Sequence, residues 1–262
     1  MKIKKLLLFL PPVIAGLVTA FFRYQMVEKT VDPQTGITSS HSWIYGIYFF
    51  AALMALLFLA ASVLLGKGGK VEIKGPGAMG YRLLGAGAAL LFVLSGGAYF
   101  FSLAGENAGA LTLVKALAAI LCGGGLLAGL LAKSKEGEGA KVCLLLPVFY
   151  SAFSLLVFYR DNNANPLVYS FATELFAYIA VMFTLYGAAA FFFGKDRPRL
   201  VFFASLSSIY LLVTVLCSDN LLPAFTQGHI HFTVGDLLSL GAFLLLSGAW
   251  LLALRLPKLG EK

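Results

Sequence analysis

Long apolar runs, broken by short polar, glycine- or proline-containing stretches, account for most of the chain. They fall at residues 5–22, 43–66, 83–104, 111–132, 142–159, 167–193, 200–217 and 233–255. A helix needs about 20 apolar residues to cross roughly 30 Å of hydrocarbon. The pattern therefore predicts an all-α membrane protein of about eight transmembrane helices. The second and sixth runs are long enough to cross with tilt or to project beyond the bilayer. Composition strengthens this reading. Hydrophobic residues make up 60% of the chain, charged residues 12%, and the mean hydropathy is +0.88. A soluble domain carries about 25% charge, because its surface faces water. Eight helices with short loops leave no room for such a domain.

The first run admits two readings. Met1-Lys2-Ile3-Lys4-Lys5 before Leu6–Leu10 has the form of a signal-peptide start, and Val18-Thr19-Ala20 that of a cleavage site. A retained helix is favoured by the internal pattern described below; cleavage would leave seven helices.

The basic residues orient the chain. One side, made of both termini and the second, fourth and sixth loops, holds sixteen of the twenty Lys and Arg residues. The other side holds Arg23, Lys29 and Arg160, and Lys115 lies inside a helix. An excess of Lys and Arg marks the cytoplasmic face, so both termini are expected there. Trp43 and Trp250, near opposite ends of their helices, suit the interfacial aromatic belts. The net charge of +8 sits in short loops beside lipid headgroups, so it gives no reason to expect nucleic acid. The outer loop after the first helix contains Asp32-Pro33-Gln34-Thr35-Gly36, a turn signal flanked by Val27, Thr30, Val31, Ile37 and Thr38. A small outer β-hairpin is predicted near residues 25–40.

The two halves resemble each other. Phe22-Arg23-Tyr24 closes the first helix as Tyr159-Arg160-Asp161 closes the fifth, each after a proline near the helix start. Gly66-Lys67 matches Gly194-Lys195, and Tyr81-Arg82-Leu83 matches Pro198-Arg199-Leu200. Two parallel four-helix repeats are predicted, 1–132 and 142–258, within a single membrane domain.

Ionisable groups inside a bilayer are costly and point to function or to a specific partner. Glu174 lies about eight residues into the sixth run, with Ser170 and Tyr178 on the same helical face. Lys115 lies within the fourth helix and Asp236 near the start of the eighth, at positions the duplication makes equivalent. Arg23 and Arg160 form a second equivalent pair. Together Arg23, Lys115, Arg160, Glu174, Tyr178 and Asp236 are candidates to line an outward-facing cavity between the halves. Arginine suits a carboxylate or phosphate, so a small polar or anionic ligand is expected. The competing readings are snorkelling for Lys115, helix capping for Asp236, and headgroup contact for both arginines.

Other chemistry is thinly represented. His229-Ile230-His231 places two rings on one side of an extended segment, which makes His229 and His231 metal candidates on a spacing that recurs by chance. The three cysteines are isolated. Gly125 and Gly129 form a GxxxG pair suited to close helix packing. There is no HExxH, Walker loop or GxSxG, so neither a cofactor nor an enzyme activity is predicted.

Arg23 with Asp32-Pro33-Gln34-Thr35-Gly36, Tyr159-Arg160 with Asn165-Pro166, and Arg197-Pro198-Arg199 after the sixth helix give the chain a resemblance to a family. It resembles a group of eight-helix integral membrane proteins of anaerobic Gram-positive bacteria that have no assigned activity. The resemblance spans most of the chain and implies a bacterial cytoplasmic membrane, with no mechanism. Three functions fit these residues, in order: a small-molecule permease or binding protein, a non-catalytic sensor, scaffold or partner subunit, and an enzyme acting on a lipid-linked substrate.

Overall fold

The computed structural model describes residues 8–30, 42–67, 72–73, 79–103, 109–132, 138–162, 171–195, 197–227 and 232–255. Among them are eight helices long and apolar enough to cross a membrane. They are α1 (Leu10–Thr30), α2 (Ser42–Lys67), α3 (Met79–Ser102), α4 (Ala110–Leu131), α5 (Glu138–Asn162), α6 (Phe171–Phe192), α7 (Pro198–Leu216) and α8 (Val234–Ala253). The chain is a multi-pass membrane protein. Large apolar side chains such as Leu90, Phe149, Phe176 and Leu56 stand exposed on the helix flanks, where lipid would cover them.

Local chemistry explains several boundaries. Gly194, at φ 71°, ends α6, and the N–H of Lys195 turns back to the Ala190 carbonyl at 2.9 Å. Pro198 opens α7 at a position whose N–H needs no partner. Thr233 caps α8, its hydroxyl accepting the Asp236 N–H at 3.2 Å.

Two expectations change. Residues 25–30, the first arm of the expected hairpin, continue α1 as helix to Thr30; the rest of that segment, 31–40, lies outside the described residues. The outer loop expected at 218–232 is largely helical. After Leu216 the chain passes through a π-turn, Cys217–Leu221, into a short helix, Leu222–Gln227. Ser218, Asp219 and Asn220 look like a loop in sequence, but all three are buried against the bundle.

Helices α3, α4, α5 and α6 pack in chain order, and α8 closes against α3, α7 and α6. Helices α1 and α2 dock chiefly on the outer flank of α7. At the end of the bundle where α2 and α8 finish, β1 (Glu72–Ile73) and β2 (Leu254–Arg255) pair antiparallel, Glu72 opposite Arg255 and Ile73 opposite Leu254. The packing differs between the halves. Inside each proposed repeat only some contacts recur, α1–α2 with α5–α6 and α3–α4 with α7–α8; the close α6–α7 contact has no comparable α2–α3 counterpart among the described residues. Contacts across the halves do not: α3 lies along α8, while its counterpart pair α7 and α4 is not packed together among the described residues.

Small residues let α4 sit tightly between its neighbours. A Cβ on Gly123 would come within 2.6 Å of the Ala89 carbonyl on α3, and one on Gly125 would collide with Leu146 on α5. Gly125 of the expected pair thus faces α5, and Gly123 makes the approach to α3. Below the site described next, Phe92, Tyr150 and Phe243 form an aromatic layer with ring centroids 5.2 to 5.7 Å apart.

Overpacking such a seam costs about 1–3 kcal/mol. Gly123→Val should therefore lower the melting midpoint in detergent by several degrees. Gly124→Val is its control, since a Cβ there meets nothing within 4 Å, and it should leave the midpoint unchanged.

Candidate functional site

A cavity of about 200 Å³ lies at the end of the bundle where α3 and α5 finish and α4, α6 and α8 begin. Tyr99 comes from α3, Lys115 from α4, and Tyr150, Ser154, Asp161 and Asn162 from α5. Glu174 and Tyr178 come from α6, and Asp236 and Ser239 from α8. A volume near 200 Å³ is room for about seven waters, at roughly 30 Å³ each.

Asp236 organises one wall. Its Oδ1 accepts the Tyr99 hydroxyl at 2.6 Å and the Lys115 ammonium at 3.4 Å, and its Oδ2 accepts the Thr233 hydroxyl at 2.6 Å. It lies in the first turn of α8, where the helix dipole favours a carboxylate. The capping and ion-pairing readings of Asp236 are therefore both realised. Lys115 turns inward to this pair and does not reach for headgroups; its Nζ also lies 5.6 Å from the centre of the Tyr99 ring. Gly235 makes the arrangement possible, because a Cβ there would stand 2.6 Å from the ring of Tyr99. Only glycine lets that ring lie across the start of α8 and reach Asp236.

A second wall is a directed chain of hydroxyls. Ser95 donates to the Gly235 carbonyl at 2.7 Å, so its one proton is committed. Its 2.7 Å contact with Ser239 then requires Ser239 to donate, and the 2.8 Å contact between Ser239 and Tyr150 requires Tyr150 to donate. Tyr150 therefore presents its oxygen as an acceptor. Asn162 donates one of its two amide N–H groups to the Phe158 carbonyl at 2.9 Å.

Glu174 is 3% exposed. It lies in the first turn of α6, which begins at Phe171, so it sits nearer the helix end than its place in the apolar run suggested. A buried carboxylate in a membrane helix is costly unless it has partners or a function. Tyr178 stands one turn further on, against Phe158 at 5.4 Å and Phe243 at 6.4 Å.

Four of the six candidates, Lys115, Glu174, Tyr178 and Asp236, thus meet in one cavity. The two arginines do not join them. Arg23 is not part of the cavity lining; it is buried and paired with Asp219 at 3.1 Å with both side chains almost wholly hidden. It borders a separate, largely apolar groove of about 670 Å³ between α1, α2, α6 and α7. Arg160 is exposed at the end of α5 and pairs with its neighbour Asp161 at 3.0 Å. The first arginine is held inside by a buried carboxylate, and the second pairs with an exposed one at the surface. Ser170, His229 and His231 lie outside the described residues, among which no group of three His, Cys, Asp or Glu could hold a metal.

Sequence reasoning missed Tyr99, Tyr150, Ser154, Asn162 and Ser239. A signal was present: Ser95–Tyr99 and Tyr150–Ser154 repeat the four-residue polar spacing of Glu174–Tyr178, and Asp236–Ser239 is one residue shorter. Asp219 reads in the sequence only as a loop carboxylate.

Fold and site together define a multi-pass α-helical membrane protein with a polar cavity at one end of its bundle. No protein-family model, curated protein or solved structure matches the chain.

Removing one partner of a buried ion pair leaves an uncompensated charge and costs about 3–5 kcal/mol. Asp219→Ala should accordingly lower the melting midpoint of the detergent-solubilised protein sharply. Arg160→Ala, at an exposed pair, should leave it in place.

Proposed function

We propose that the protein is a permease for a small polar molecule, seen with its cavity open toward one side of the membrane and closed toward the other. One observation carries this reading: an ion pair, a buried carboxylate and several hydroxyls converge from five helices on one cavity in an otherwise apolar bundle. Polar groups gathered in this way at membrane depth are the usual mark of a substrate pathway. Lys115 and Asp236 are each roughly one-fifth exposed, so the ion pair is reached from the end of the bundle. The floor is the Phe92, Tyr150 and Phe243 layer, and passage of a solute requires that layer to part.

The distribution of basic residues supports a cavity that opens to the outside of the cell, with both termini in the cytoplasm. The bacterial cytoplasmic membrane is the setting this reading assigns.

Two measurements test these statements. Proteoliposomes challenged with glycine, methylammonium, acetate or glycerol should swell faster with one of these solutes. Glu174→Gln and Lys115→Met should each reduce that rate at least tenfold, and Arg160→Ala should not. A rate equal to that of empty liposomes for every solute would remove the permease reading and leave a binding role. Orientation is read in intact cells with a membrane-impermeant maleimide, on a background lacking the native cysteines. Leu103→Cys should label from outside and Lys195→Cys only after lysis; the reverse pattern would invert the topology.

A further inference from the structure

We infer that the cavity recognises an ammonium group on its ligand. This deepens the binding-site reading given above and rests on it. Charge gives the first argument. Among the described residues its walls carry Lys115 and three carboxylates, Asp161, Glu174 and Asp236, with Arg160 bound to Asp161 at 3.0 Å. The segments that join the helices at this end, 31–41, 104–108, 163–170 and 228–231, contain no Lys or Arg and add Asp32 and Glu106. Taken along the whole sequence, this end of the chain has four basic and seven acidic residues; the opposite end has sixteen basic and five acidic. A strongly basic protein thus has more acidic than basic residues in the part of its sequence assigned to the cavity's end, a balance that favours cations there.

Hydrogen-bonding capacity gives the second argument. Tyr150 has its proton committed to Ser239, and Thr233, beside the cavity, has spent its own on Asp236. Asn162 contributes an amide oxygen as well as a remaining N–H, and Lys115, Ser154 and Tyr178 are further donors. The carboxylates of Asp161, Glu174 and Asp236 are acceptors only, and these are the groups that suit an ammonium, which has three N–H donors and no acceptor.

The third argument is the character of the remaining surface. Tyr99, Tyr150, Phe158 and Tyr178 line the cavity, and aromatic faces attract cations within about 6 Å. The wall already holds one ammonium in this way, the Lys115 Nζ 5.6 Å from the Tyr99 ring. Lys115 itself is the argument for an anion, but its charge is matched by Asp236 at 3.4 Å. Of the two arginines that would have favoured an anion, Arg23 borders another groove and Arg160 is matched by Asp161.

An ammonium group could belong to a simple amine or to a zwitterionic amino acid, whose carboxylate would then meet Lys115. The full-length protein in nanodiscs, titrated by calorimetry, distinguishes these sources with four probes of similar size: ethylammonium, alanine, propionate and propionamide. Ethylammonium or alanine should bind at least tenfold more tightly than propionate and propionamide. Alanine ahead of ethylammonium, with that advantage lost in Lys115→Met, identifies the zwitterion; ethylammonium equal or ahead identifies the amine. Glu174→Gln should weaken the preferred probe at least tenfold. The selectivity of the wild-type protein is the primary reading, so a variant that fails to fold does not blunt the test. Propionate or propionamide binding as tightly as the amines overturns the ammonium inference and leaves the cavity a binding site. Heat from none of the probes overturns both.

Discussion

Hydrocarbon offers no hydrogen bonds, and this constraint arranges the molecule. A polar side chain within a spanning helix must find its partner inside the protein. Ser208 and Ser247 meet across α7 and α8 at 2.8 Å, Thr19 meets Tyr210 across α1 and α7 at 3.0 Å, and Thr184 bonds back to the Ala180 carbonyl at 2.9 Å. Such pairs draw α7 and α8 to the middle and turn the large apolar residues outward. The cavity is where the constraint is relaxed. Its hydroxyls and charges can be numerous because one end reaches water.

The architecture is correspondingly unequal. Helices α3 to α6 and α8 build the cavity, while α1 and α2 dock beside α7 and supply none of its described lining residues. Their attachment has its own polar anchor. Arg23 of α1 crosses to Asp219 in the π-turn that follows α7, and Ser218 donates to the same carboxylate at 2.8 Å. The π-turn widens the helix at the point where this carboxylate must face inward, a role often filled by such irregular turns.

The helices were legible in the sequence because an apolar run of spanning length has little use outside a bilayer. The extension of α7 was not, because Ser218-Asp219-Asn220 reads as a loop unless one knows that Arg23, 196 positions earlier, comes to meet it. The meeting of Lys115 and Asp236 follows from the sequence pattern, though the packing supplies a cause separate from the proposed pseudo-symmetry. Both helices flank α3, and Tyr99 of α3 touches each charge. The arginine pair misled for the same reason: equivalent places at helix ends say nothing about which neighbour holds a buried acid. The aromatic and hydroxyl residues of the walls carry no charge, and in a chain with 14% aromatic residues they do not stand out singly.

The hydroxyl chain from Tyr150 through Ser239 to Ser95 ends on the carbonyl of Gly235, in the first turn of α8 at the cavity's own end of the bundle. An amide carbonyl accepts a hydrogen bond but has no proton of its own to hand on. Relays across membranes use Asp, Glu or His for that step, and on the deeper side of the chain, about one turn from Ser95 and Ser239, stand Phe92 and Phe243. The chain is therefore an electrical dead end. Water can fill the mouth of the protein without short-circuiting the ion gradient of the membrane that contains it.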